Sequence, residues 1–140
     1  SFLFSANKGG QFGELKKVAS GGELSRIMLA IKKVMSENSQ LPTIIFDEID
    51  SGVSGEISNK MAHIMSQMSQ QMQVITITHL PQIAAKGNQH YKVYKEELNN
   101  TTTTSLKQLS EDERIVEIAE MLSGKNISDS ALTHARELLN

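Results

Sequence analysis

A chain of 140 residues with 39% hydrophobic residues, 21% charged residues and only 2 prolines has the make-up of one ordinary globular domain, long enough to bury roughly 68–70% of its unfolded surface. Its 0 cysteines exclude disulfides and thiolate metal sites; with no apolar run near membrane-span length and no export leader, the expected compartment is the cytoplasm. A net charge of −2 argues against gripping nucleic acid through this chain's own surface, because such surfaces carry a basic excess; the Lys16–Lys17 and Lys32–Lys33 pairs read as solvated faces.

The first apolar run, Phe2 to Ser5, predicts a short strand that leads into a polar loop with Asn7, Gly9, Gly10 and Gly13. Ser20 and Glu23 stand in capping-box spacing, so the first helix is expected to begin there. Leu24, Ile27, Met28, Ile31, Val34 and Met35 recur at helical spacing and mark one face of it as core. After Pro42, Thr43-Ile44-Ile45-Phe46 is apolar and β-branched without alternation, which predicts a central parallel strand covered on both faces. Ile57, Met61, Ile64, Met65 and Met68 mark a second helix, and Val74 to Thr78 a second buried strand. Strand, helix, strand reads as a right-handed crossover, the unit of an α/β layer structure with a largely parallel sheet and flanking helices.

Beyond Pro81, Tyr91–Glu97 and Thr101–Leu109 are expected to pair as an edge hairpin around Asn99-Asn100. Ile115, Ile118, Ala119 and Leu122 form a third helical stripe that stops at Gly124, and Leu132, Ala135, Leu138 and Leu139 a fourth. Both read as packing helices. His63, His90 and His134 have no metal-ligand spacing.

Chemistry concentrates at the end of the strand that delivers Asp47 and Glu48 side by side, because the carboxyl edge of an α/β sheet is where ligands bind. Successive strand residues point opposite ways, so Asp47 can face a magnesium ion, through water, while Glu48 turns toward an attacking water as general base. An acidic pair that merely caps a strand is the alternative for the two taken alone. Asp50-Ser51-Gly52-Val53 follows at once, and Thr78-His79 at the end of the next strand puts an imidazole at the same sheet edge, able to donate to a γ-phosphate. Ser20-Gly21-Gly22 leaves the first amides of a helix uncovered by side chains, an anion site at a positive helix end; a plain helix cap is the other reading. No Gly-x-x-x-x-Gly-Lys-Ser/Thr phosphate loop occurs in the sequence. Gly124-Lys125 is a helix C-cap, since Ala119 stands at the first glycine and Asn126 at the Ser/Thr position.

These phrases, in this order, resemble the ATP-binding-cassette ATPases, and within them the head domains related to SMC proteins. Ser20 to Arg26 is similar to the signature motif, Ile44 to Glu48 to the Walker B strand, Asp50 to Val53 to the D-loop and His79 to the switch histidine. Transporters of the family usually read Leu-Ser-Gly-Gly-Gln where this chain has Ala19-Ser20-Gly21-Gly22-Glu23, and that departure counts against a transporter. Val18 to Arg26, Phe46 to Gly55, Thr78 to Ala84, and Glu113–Leu122 with the closing His134-Ala135-x-Glu137-Leu138-Leu139 carry the resemblance across nearly the whole chain.

The resemblance implies that residues 1–140 are the C-terminal lobe of an ABC-type P-loop NTPase head, with ATP and Mg²⁺ as its ligands. It further implies an N-terminal Walker A lobe elsewhere in the same parent protein, joined through a long antiparallel coiled coil. A second head closes an ATP-sandwiched dimer, in which Ser20, Gly21, Gly22 and Glu23 act in trans. Coupling to DNA double-strand-break repair and recombination, and action at the nucleoid within the cytoplasm without a membrane partner, are likewise what the resemblance implies. A non-catalytic head-dimerisation module, or an ATPase lobe of another SMC-like or transporter branch, are the alternative readings.

Overall fold

A glycine sets the first turn of the chain. β1 (Leu3–Phe4) runs antiparallel to β2 (Gly13–Glu14), with Phe4 opposite Gly13, and α1 (Leu15–Val18) follows directly. A Cβ on Gly13 would lie 2.5 Å from Cγ1 of Val18, so only glycine lets the strand turn back under the helix it feeds. This is a computed structural model, and it describes residues 3–5, 8–38, 41–98 and 101–140. Phe2, Asn7 and the Asn99-Asn100 pair of the expected strand, loop and hairpin turn lie outside the described residues. The chain divides into two units, residues 1–78 and 79–140.

In the first unit α2 (Gly21–Asn38) begins where its caps require. Ser20 Oγ accepts from the Glu23 N–H at 3.4 Å, and Glu23 Oε2 accepts from the Ser20 N–H and hydroxyl, each at 2.8 Å. This reciprocal box satisfies two amides that a helix start otherwise leaves orphaned. The face expected to be core is not. Leu24, Met28, Ile31, Val34 and Met35 are exposed, while Leu29 is buried with Ser36 two turns further along the same stripe. α3 (Gly55–Met68) packs against α2, and of the expected stripe Ile27 alone is half-buried. Ser36 avoids a desolvation penalty by donating its hydroxyl to the Lys33 carbonyl at 2.7 Å.

β3 (Thr43–Asp47) and β4 (Gln73–Ile77) form a parallel pair in the register Ile44↔Val74, Ile45↔Ile75, Phe46↔Thr76, Asp47↔Ile77, with α3 as the connection. Ile44 and Phe46 are buried, as are Met61, Ala62, Met65 and Met68 of α3, and the Thr76 hydroxyl reaches the Met65 sulfur at 3.7 Å. Burial on β3 alternates residue by residue instead of covering both faces, which corrects the sequence expectation: Ile45 is 60% exposed, Ile75 42% and Ile77 52%. Alternation is the rule for a half-covered sheet, and the unbroken apolar run of the sequence is that of a strand covered twice.

The second unit is built on α4 (Pro81–Ala85), the hairpin of β5 (Tyr91–Leu98) and β6 (Thr101–Gln108), α5 (Glu111–Ser123) and α6 (Asp129–Leu139). The hairpin forms as expected, antiparallel with Tyr91 opposite Gln108 and Leu98 opposite Thr101. Ala85, Ile118, Ala119, Ala131 and Ala135 make the buried cluster where α4, α5 and α6 meet. Methyl-sized side chains at most of these positions let three helices approach closely around one isoleucine. Ser110 and Glu113 form a second capping box at α5, which Gly124 ends at φ +76°, and the Ser128 hydroxyl caps α6. Lys92 of β5 bridges Glu117 and Glu120, and Lys107 of β6 pairs with Glu113, so ion pairs fasten the hairpin to α5. Among the described residues no helix is long and apolar enough to cross a membrane.

Two measurable consequences follow from this packing. Ser20→Ala removes one half of the α2 box and is expected to cost about 0.5–2 kcal/mol in denaturant unfolding, with Ser20→Gly costing only a few tenths. The second concerns His90. Burial, opposed by the Glu117 carboxylate and reinforced by Arg114 and Lys92, holds its imidazole below the usual 6.5. A depressed folded value means that its contribution to stability is complete above 6.5 and is lost as pH falls through the lower folded value. The unfolding midpoint should therefore fall between pH 7 and pH 5 (roughly the histidine range) by more in this chain than in the His90→Gln variant.

Candidate active site

The turn after β3 is built by one strained residue. Glu48 continues the ladder by donating its N–H to the Ile77 carbonyl at 3.0 Å, yet its φ is +46°, the only left-handed non-glycine among the described residues. Its own carbonyl accepts from the Ser51 N–H at 3.3 Å and the Ser51 hydroxyl at 3.1 Å, and the Val53 N–H then donates to Asp50 at 3.1 Å. These bonds hold a glutamate in a conformation that costs of order 1–3 kcal/mol, strain of a kind that gathers at functional sites. Gly52 and Gly55 supply the remaining positive φ values that the path into α3 needs.

Asp47 lies on the bare face of the strand pair, in register with Ile77, and Glu48 is exposed beside it. Asp50 is the reverse, a carboxylate only 1% exposed. Its Oδ2 accepts from the Thr78 hydroxyl, just past the end of β4, while its buried Oδ1 has no hydrogen-bond partner among the described residues. The loop after β3 is thus tied to the exit of β4 by a side chain that the motif pattern did not single out. The only sequence signal for Thr78 is its place directly before His79.

The start of α2 meets this loop. An added Cβ on Gly22 would stand 3.6 Å from the carbonyl oxygens of both Ser51 and Gly52 and 3.3 Å from Arg26 Nη1. The Asp50–Val53 loop therefore lies within van der Waals reach of the helix start at Gly22, whereas a Cβ on Gly21 would meet nothing within 4 Å. The N–H groups of Gly21 and Gly22 have no acceptor among the described residues. Glu23 is occupied: the Ser20 N–H, then the Ser20 hydroxyl, with Arg26 adding, hold its carboxyl below the usual carboxylate range. Its part is to fix the helix end on which Ser20, Gly21 and Gly22 sit.

The structure so brings together Ser20 to Glu23 as one cap, Gly22 with Ser51 and Gly52, and Asp50 with Thr78. It sets Asp47 and Glu48 side by side at the end of β3. His79 is exposed, follows Thr78 directly and opens the second unit. Among the described residues no group of three or more His, Cys, Asp or Glu side chains is placed to hold a metal ion. Asp47 offers one hard oxygen donor at the rim of a bare face, which suits a Mg²⁺ that keeps most of its waters and takes its other ligands from a phosphate.

No family model matches the chain. Known proteins do. It is 46% identical to the DNA repair protein RecN of Bacillus subtilis over 138 residues, 99% of this chain and 24% of that protein. It is 48% identical to RecN of Deinococcus radiodurans over 97% of this chain and 24% of that one, and 42% identical to RecN of Haemophilus influenzae over 99% and 25%. The chain spans about a quarter of the length of these curated relatives. Among solved structures, one from work on ATP-driven dimerization and DNA-stimulated activation of SMC ATPases aligns with a TM-score of 0.61 at 19% identity, over 82% of this chain and 68% of that one. The SMC head domain from Thermotoga maritima aligns with a TM-score of 0.52 at 22% identity, over 72% and 37%. Nearly the whole chain therefore matches about a quarter of the DNA repair protein RecN and carries it on the mixed α/β fold of an SMC ATPase head.

Proposed function

We propose that this chain is the signature-bearing, C-terminal lobe, residues 1–140, of an ATP-hydrolysing head in a RecN-type protein of DNA double-strand-break repair and recombination. The observation that carries the reading is the carboxylate pair Asp47–Glu48, set at the carboxyl end of a parallel strand pair whose other face is bare and apolar. That face, with Ile45, Ile75 and Ile77, and the exposed stripe of α2 are the surfaces an N-terminal Walker A lobe covers. A few isoleucines and methionines of this size contribute about 1.5–3 kcal/mol each when buried.

Each residue then has a role its surroundings support. Glu48 is the general base, its backbone fixed by the Ile77 and Ser51 bonds, so that its carboxylate meets the attacking water without reorganising. Asp47 would hold Mg²⁺, which when bound would supply charge neutralisation on the phosphate oxygens. His79 donates to the γ-phosphate of the same head. Ser20, Gly21 and Gly22 present a hydroxyl and two uncommitted amides to the γ-phosphate held by a second head, at a helix end worth roughly half a positive charge, and Glu23 keeps that end in shape. Asp50, Ser51, Gly52 and Val53 are the D-loop at the contact between heads. DNA is engaged through other parts of the parent protein, since this chain's charge is −2. The setting is the bacterial cytoplasm at the nucleoid, without a membrane partner.

The chain alone is expected to release phosphate from ATP only at background rate, because the phosphate nest and lysine of a P-loop are not in its sequence. Joined to the Walker A lobe of its parent protein, it should turn over ATP, faster with DNA. Glu48→Gln should then lower turnover by about 10²–10⁴ while ATP stays bound, measured as phosphate release against nucleotide retention. Full turnover by Glu48→Gln would remove the general base from the reading. Inactivity of the joined head would favour a dimerisation module without catalysis.

A further inference from the structure

Arg114 is 7% exposed at the fourth position of α5, an expensive place for a cation that never loses its proton. One guanidinium nitrogen, Nη2, donates to the Gly87 carbonyl at 2.7 Å and to the Ala85 carbonyl at 3.3 Å; Nη1 reaches Glu111 at 3.1 Å, and the buried Nε has no partner among the described residues. Among the described residues the only carboxylate paired with it, Glu111, is itself 83% exposed. An apolar side chain would fill this space at lower cost. What the guanidinium adds is a hold on the Ala85 carbonyl, the last of α4, and on the Gly87 carbonyl just past it.

Packing against α5 and α6 buries Pro81, Ile83 and Ala85 of this helix, and Arg114 adds the polar hold at its end. α4 spans Pro81–Ala85, and its first bonds run from the Ile83 and Ala84 N–H groups to the Leu80 carbonyl, at 3.1 and 3.0 Å. Leu80 is therefore part of the helix's hydrogen-bonded frame, and His79 is the residue before it. Gly87 allows the return: a Cβ there would lie 3.1 Å from the Gln89 carbonyl oxygen. An element of this length moves as one body, so whatever sets its far end sets where its first residues stand.

We propose that Arg114 is a positioning residue for His79: its guanidinium clamps the end of α4 and, through that short helix, fixes where the imidazole stands for catalysis. The inference rests on the proposed role of His79 in hydrolysis. The test is steady-state ATP turnover by the full-length protein. Arg114→Gln should lower kcat by about 10- to 10²-fold, the range for a misplaced catalytic group, with the KM for ATP little changed. Arg114→Lys, which keeps a donor on a similar stem, should recover part of the loss; it also replaces Arg114→Gln in the cycle if the glutamine variant does not fold by circular dichroism. The decisive readout is the double variant. If Arg114 acts through His79, then Arg114→Gln with His79→Ala should be no slower than His79→Ala alone. Losses that multiply would show a merely structural arginine and overturn the proposal while leaving the role of His79 intact. A His79→Ala variant with normal turnover would overturn both, and unchanged kcat in Arg114→Gln would overturn the clamp alone.

Discussion

The alternation along β3 and β4 is the constraint on which the first unit depends. In a parallel pair, residues in register share a face, so the ladder that places Phe46 and Thr76 against α3 also fixes Ile45, Ile75, Asp47 and Ile77 on the opposite side. The buried face holds the unit together through Ile44, Phe46 and the methionines of α3, and the bare face carries the carboxylate. A slip of one residue would bury Asp47 and expose Phe46. Stability and chemistry are therefore read from the same register. The Glu48 N–H to Ile77 bond extends that register by one residue, to where the chain must turn.

Three local devices then keep the loop that follows in one place. The Ser51 bonds to Glu48 hold a left-handed glutamate, the Thr78 hydroxyl holds a buried Asp50, and the Ser51 and Gly52 carbonyls lie within van der Waals reach of Gly22 at the start of α2. The hydrogen bonds among these are individually weak, about 0.5–1.5 kcal/mol for a typical one. Together they link the end of β3, the loop and the helix cap into one connected piece. In the proposed reading this piece carries both Glu48, which serves the head's own nucleotide, and Ser20 to Gly22, which serve another head's.

Much of this was legible in the sequence where the signal is local. The Ser20–Glu23 box, the Gly124 stop, the hairpin between Tyr91 and Gln108 and the strand ending in Asp47-Glu48 all arise from contacts between near neighbours, and each appears where the spacing placed it. Burial was not legible in the same way. Leu24, Met28, Ile31 and Met35 repeat with helical period whether or not anything buries them, and here they stay exposed while Leu29 is buried. Periodicity reports that a face is apolar and says nothing about which chain buries it. Glu48's backbone, the Thr78–Asp50 bond and Arg114 depend on residues brought together from up to 29 positions apart, and no spacing rule marks them.

The unbroken apolar reading of β3 and the half-covered strand in the structure are reconciled by the same physics. A strand with polar residues on one side is built for water, and Ile45, Ile75 and Ile77 are not. In the proposed reading these isoleucines, which share their face with Thr43, Gln73 and Asp47, are the part of it that the missing lobe closes. A carboxylate at the rim of such a surface changes character on closure, because water leaves and every remaining charge interaction strengthens. In water Asp47 is one solvated anion among 16 acidic side chains. In the proposed reading it becomes a directed ligand once a covering lobe and a phosphate-bound cation stand beside it. In that reading the selectivity of the site for hydrolysis comes from assembly, since the groups supplied by this chain acquire catalytic strength only when their apolar surroundings are completed.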